Sequence, residues 1–365
     1  MATSTIDDTG RGGARLLAWA YVALFALIIA GGAAITFLGN PHAGQPVVVL
    51  DVPGARGGAR PHGAAKQAAA ASAQPVPQQA LPAAPLPAVA TPKVTQQVFA
   101  GHALIADPAL IENTAAGPLP RIADDGTTPM RAYAPPAVSD GRPRIAVIVG
   151  GLGISATATQ SAITGLPPGV TLAFAPYAAD VQHWAGEARK AGHEVLIEVP
   201  MEPYDFPDSD PGPHTLRSGV GEDANTERLV WALTRFSGYS GVTNLLGSRF
   251  LSDANSLEPM MTFLARRGLL FYDNGAASHS AAPDVAGRVG TAFAQADSTI
   301  DKIQTAFEID RRLSSLESLA RARGSASGAG FIYPVTIDRI KSWSQGLQGR
   351  GFVLVPASAI VSQAK

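Results

Sequence analysis

RIAVIVGGLGISATATQSAITGLPPGVTLAFAPYAADVQHWAGEARKAGHEVLIEVPMEP, residues 144–203, sets the rhythm of the chain's second half. Three short runs in it are apolar and rich in β-branched residues: IAVIV (145–149), VTLAF (170–174) and EVLIEV (194–199). Helical spacing fills the gaps at 155–164 and 180–191. The rhythm continues through GVTNL (241–245), LLFYD (269–273), TAFAQA (291–296), ASGAGFI (326–332) and FVLV (352–355), with helices expected near 223–236, 254–267, 300–323 and 335–348. Strand and helix alternating in this way predict parallel strands joined by helical crossovers. Continuous apolar strands fit a sheet covered on both faces. A closed (β/α) barrel is the first expectation and an open doubly wound sheet the second. In either, function belongs where strands end and loops begin.

Upstream the composition changes twice. Leu16 to Leu38 contains no charged residue, Arg11 and Arg15 precede it, and the next charge is Asp51. A run of this length spans a hydrocarbon core of ~30 Å. The flanking arginines place residues 1–15 in the cytoplasm and the remainder outside. A cleaved signal peptide would have a shorter apolar region and a small-residue cleavage site. The expected organisation is a cytoplasmic 1–15, a transmembrane helix 16–38, a linker 39–140 and a domain 141–365. In the linker, 20 of the 40 residues at 61–100 are Ala or Pro. Such a segment lacks the side chains to offset chain entropy and suits a semi-rigid periplasmic tether. VVVLDVPG (47–54) reads as strand or linker. The expected location is the inner membrane, single-pass, with the C-terminal domain in the periplasm.

The formal net charge of −1 gives no field to recruit nucleic acid. The absence of cysteine removes disulfides and thiolate metal sites. Gly151-x-Gly153-x-x-Ala156 imitates a dinucleotide fingerprint, but that reading wants an acid ending the second strand, and Ala175-Pro176 stand there.

The order VGGLG, LPPGVTLAFAPY, GHEVLIEVPMEP, DPGPHTL, GVTN-LLGSRF, RGLLFYDN and GFVLVPAS resembles the divergent polysaccharide deacetylase family over residues 144–361. The resemblance implies a distorted (β/α) barrel and a divalent metal such as zinc that activates water against an acetamide or ester of a glycan. It implies an Asp pair after the first strand and histidines on later loops. This chain departs from that pattern: Gly150 and Gly151 replace the Asp pair, and Glu198, Leu245, Phe331 and Tyr333 stand where histidines are expected. Glycine and leucine side chains cannot coordinate a metal. The expectation is therefore no bound metal cofactor and no family-type metal site. The favoured function is a degenerate module binding a glycan such as peptidoglycan, or a cell-envelope protein partner. The alternative is an active glycan hydrolase or deacetylase using Asp273, Glu198 and Glu202, since paired carboxylates cleave glycosidic bonds without metal. Asn244, Arg249, His214 and Tyr177 are the expected substrate contacts.

Overall fold

The computed structural model describes residues 106–137 and 140–361. The expected anchor and most of the expected tether lie outside the described residues. Among those described, no helix is long and apolar enough to cross a membrane.

The first described elements fall in the segment read from sequence as linker. Strands β1 (Ile111–Thr114) and β2 (Gly117–Pro120) form an antiparallel hairpin, and a short helix α1 (Pro129–Tyr133) follows. Long-range contacts hold this piece. Leu119 joins the main apolar core, and Arg267 bonds Glu112 and the Pro120 carbonyl at 2.9 and 2.7 Å. The Met130 N–H donates to the Gly268 carbonyl at 3.2 Å. The linker reading therefore gives way here to a subdomain packed on the barrel.

From Arg144 onward the rhythm holds. The strands are β3 (Arg144–Leu152), β4 (Thr171–Phe174), β5 (Val195–Met201), β6 (Gly241–Leu246), β7 (Leu270–Asp273), β8 (Phe293–Gln295), β9 (Ser298–Thr299), β10 (Ser325–Phe331) and β11 (Val353–Val355). The helices are α2 (Ala156–Gly165), α3 (Val181–Lys190), α4 (Glu222–Leu233), α5 (Ala254–Arg266), α6 (Ala282–Val289), α7 (Ala306–Arg323) and α8 (Pro334–Gln345). All nine strands pair in parallel, in the order β8-β7-β6-β5-β4-β3-β10-β9. β11 pairs with the first three residues of β3, and β4 with its later ones. Local signals agree with the helix starts: Ser155, Asp253 and Thr305 accept N-cap bonds from the first turns of α2, α5 and α7.

The sheet curls into an incomplete barrel, closed by one short length of chain. Between β8 and β9, Ala296 N–H bonds the Asp273 carbonyl on β7 and Asp297 N–H bonds the Ser327 carbonyl on β10, both at 2.8 Å. Inside the same gap, the Tyr272 and Ser327 hydroxyls meet at 2.5 Å. Of the two sequence expectations, the barrel is the one that matches. Its two apolar layers are distinct. Small and medium side chains (Ala146, Ile148, Ala173, Leu196, Leu270, Ala329) fill the narrow axis. Larger ones such as Leu172, Ile197, Phe236, Phe271 and Leu316 pack between strands and helices. Each fully buried leucine there contributes ~2 kcal/mol relative to exposure.

The N-terminal end of the barrel is plugged by the segment after β11. Ala357 N–H donates to Thr171 Oγ1 (2.9 Å), Ser358 N–H to Glu194 Oε2 (3.1 Å), and Arg144 Nη1 to the Ala359 carbonyl (2.8 Å). His193, buried beside Glu194, bridges the carbonyls of Val170 and Ile163 at 2.9 and 3.1 Å. Function is thereby left to the opposite end.

Candidate functional site at the barrel mouth

Strand alternation places Glu198 on the axial face of β5 with Leu196, beside Thr243 on β6 and Gly150 on β3. It is 2% exposed. Its Oε1 accepts the Gly151 N–H at 3.0 Å, while Oε2 has no partner, and the neighbouring Thr243 Oγ1 has none either. Burial pushes the carboxyl up to about 8 against the opposing Gly151 bond, so Glu198 carries a proton at neutral pH.

The two glycines after the first strand are held by what surrounds them. A Cβ at Gly150 would overlap Glu198 Oε1, and one at Gly151 would overlap the Phe331 ring. Gly151 also has φ +80°, which L side chains rarely adopt. The volume that an Asp pair would need is thus filled by Glu198 and Phe331. Among the described residues, no three His, Cys, Asp or Glu side chains gather in a metal-binding group. A family-type divalent ion does not fit these residues, because Gly150, Gly151 and Phe331 offer no ligand atom and occupy its room.

Asp273 lies elsewhere. It ends β7 on the face of Phe271, toward the helices, whereas Tyr272 points to the axis. Its oxygens accept from Gly275 N–H (2.9 Å) and Gln295 Nε2 (3.1 Å). Burial raises its pKa, opposed by bonds from Ser280, Gly275 and Gln295. Alternation therefore sets Asp273 and Glu198 on opposite faces of the sheet.

Glu202 is a buried clasp. Its Oε2 accepts the Ser218 N–H at 2.7 Å, and its Oε1 lies 3.5 Å from Arg249 Nη1. Its carbonyl accepts from the N–H groups of Arg249 and Phe250. The clasp ties the loop after β5 to the loop after β6. Asn244 is used similarly: it exchanges side-chain and backbone bonds with Asn274 at 2.7–2.9 Å and donates to the Leu246 carbonyl at 2.6 Å. That last bond secures an exposed leucine with φ +57°.

Tyr177 and His214 do come together. The Tyr177 hydroxyl accepts the His214 N–H at 3.1 Å, and both rings contact Trp231 of α4. His214 stacks on Trp231 at 3.7 Å with an interplanar angle of 7°. Partial burial, then Arg235 and Arg228, lower the His214 pKa, so the ring is neutral at neutral pH. Sequence reasoning missed Trp231, which reads as an ordinary core position of a helix. It also missed Thr243, whose significance lies only in its register with Glu198.

A cleft of about 490 Å³ opens between the starts of α4 and α5, lined by Leu216, Asn225, Asp253 and Met260 among others. None of the seven expected site residues lines it.

Comparison with known proteins agrees with this architecture. The chain is 40% identical to an uncharacterized protein of Agrobacterium tumefaciens C58, ATU2773, whose crystal structure it matches with a TM-score of 0.66, covering 67% of this chain and 100% of that one. It is 25% identical over 205 residues to the uncharacterized protein YibQ of Escherichia coli K12, covering 56% of this chain and 63% of YibQ. A protein of Haemophilus influenzae is 25% identical over 178 residues, covering 49% and 63% respectively. The match thus spans less than two thirds of either curated relative. Residues 147–361 match the divergent polysaccharide deacetylases, and the chain belongs to that family.

Proposed function

We propose that this domain is a deacetylase-fold module that binds glycan at its barrel mouth without hydrolysing it by the family-type metal reaction. In this reading it serves the cell envelope, held at the inner membrane by residues 16–38 with the barrel in the periplasm. One observation carries it: the room for metal-binding carboxylates after β3 is filled by the Glu198 carboxyl and the Phe331 ring. Metal analysis of the full chain, after exposure to zinc, magnesium and calcium and then dialysis, tests it together with co-sedimentation on peptidoglycan sacculi. Sub-stoichiometric metal with saturable sedimentation is expected. A stoichiometric metal, or no glycan binding, would sink the reading.

A second reading, a hydrolase using surviving carboxylates, is favoured by the protonated Glu198 on the barrel axis, a suitable general acid. It lacks a partner base, since Asp273 faces away and Glu202 is committed to Ser218 and Arg249. If the full chain cleaves a peptidoglycan fragment and Glu198→Gln abolishes cleavage with the fold intact, the second reading replaces the first.

A further inference from the structure

Large hydrophobic side chains left in solvent are concentrated on one end of this barrel. Among the described residues seven are exposed, and six follow the C-terminal ends of strands: Ile154 after β3, Tyr177 after β4, Tyr204 after β5, Leu246 ending β6, and Ile303 and Phe307 after β9. Tyr204 is 67% and Phe307 78% exposed. The seventh, Ile122, sits beside Gly268 at the other end. Single exposed apolar residues need no explanation, but a ring of them on one face does. β3, β4, β5 and β6 are consecutive neighbours in the sheet, so four of these side chains stand on adjoining loops. Leu246 adds a further sign: a leucine at φ +57° and 40% exposed gains nothing from the core and sits in a backbone region that favours glycine.

Acidic charge gathers on two adjoining loops of this arc, while Lys302 and Arg249 stand on the loops after β9 and β6. The loops after β4 and β5, residues 175–180 and 202–214, hold Asp180, Asp205, Asp208 and Asp210, all exposed, and contain no Lys or Arg. Arg217 reaches back to lie over Phe206, and Arg249 faces Glu202, so neither offsets the exposed acids in full.

We propose that this arc is a docking surface for a polypeptide segment that carries basic side chains interleaved with apolar ones. The proposal goes beyond the glycan reading above: it gives the exposed rim loops a protein occupant of their own. Ile154, Leu246 and Ile303 are aliphatic and offer no flat face on which a sugar ring stacks, and the Tyr177 ring is engaged with Trp231. Apolar anchors bordered by carboxylates instead suit apolar side chains flanked by Lys or Arg, with the Tyr204 ring open to a cation. The acids repel an anionic surface.

The test pans the full chain against a displayed library of random dodecapeptides, then measures the enriched peptides by fluorescence anisotropy. Peptides alternating basic and apolar residues are expected, with binding that weakens as salt rises. Affinity should fall about tenfold or more in a Tyr204→Ser, Leu246→Gly double variant. Both changes spare the fold, because the Tyr204 side chain is exposed and glycine suits the backbone at 246. Asp205→Asn with Asp208→Asn and Asp210→Asn should weaken binding and flatten its salt dependence, and Ile122→Ser should leave it unchanged. Enriched peptides that lack basic residues, or that bind the double variant as tightly, would overturn the inference. Chitotetraose is run in parallel: if it binds and no peptide is enriched, the peptide surface fails while the glycan reading survives. If neither binds, both fail.

Discussion

The two ends of the barrel treat a buried glutamate differently. Glu194 and Glu198 share the axial face of one strand region, and burial raises the pKa of both. At the floor, Glu194 Oε1 has no partner, but its Oε2 accepts from Thr171 Oγ1 and Ser358 N–H, and the same threonine oxygen accepts Ala357 N–H. At the mouth, Glu198 has one backbone donor on Oε1, an unpartnered Oε2 and an unpartnered threonine beside it. The floor uses its polar groups to fix a segment of chain. The mouth leaves polar groups uncommitted, surrounds them with glycine turns and exposes apolar side chains. Uncommitted groups weaken a fold, and their concentration at one end locates function.

The sharpest way to break this contrast is to crowd the mouth. Gly151→Ala combines an unfavourable φ with overlap on Phe331 and should cost ~3 kcal/mol in urea unfolding. Adding Phe331→Ala should recover part of that loss. A purely additive double variant would show that Phe331 does not pack on Gly151.

The next effect is pH dependence. Glu198 keeps its proton in the folded state until pH 8, whereas the unfolded chain releases it near 4.5. Its contribution to stability is therefore full below pH 4.5 and is lost as pH rises toward 8, at up to ~1.4 kcal/mol per unit. Glu198→Gln, which mimics the protonated form, should remove this component and stabilise the protein at pH 8 relative to wild type. Glu194 keeps a slope of the same sign, so the variant should flatten the profile in part. An unchanged profile would mean that Glu198 is ionised in the fold.

At the floor, Thr171→Val should cost ~1–3 kcal/mol by stranding Ala357 N–H and one glutamate bond. That loss should grow little with pH. The smallest effect has the opposite sign. Leu246→Gly should stabilise by ~0.5–1 kcal/mol by relieving the positive φ, and a loss would mean that the leucine contributes to packing.

Much of the barrel was legible because its strands are short, apolar and separated by helices with recognisable caps. Residues 106–137 were only half legible. Apolar residues scattered over 99–133, Leu110 and Ile111 among them, left docking on the domain open, while the contacts that hold the segment come from Arg267 and Gly268, far along the chain. The α6 helix is amphipathic but only eight residues long, and its Pro283 and Gly287 read as turn signals. The facing of Asp273 was hidden for a related reason. Every residue of β7 is buried, so LFYD shows no alternation to tell axis from exterior. The residues at positions where the family resemblance implies metal ligands are visible in the sequence, whereas the packing of Glu198 and Phe331 against Gly150 and Gly151 joins strands distant in sequence.

The floor has a consequence for how the protein is made. Arg144 begins the first barrel strand, yet its guanidinium waits for the carbonyl of Ala359, 215 residues later. The early edge of β3 likewise waits for β11. On a ribosome adding ~5–20 residues each second, that edge stays open for ~10–40 s after β3 emerges. During that time a nascent chain presents an unpaired parallel edge, a template for wrong partners. Translation halted just before Val353 would leave the other described strands made and the barrel without its floor.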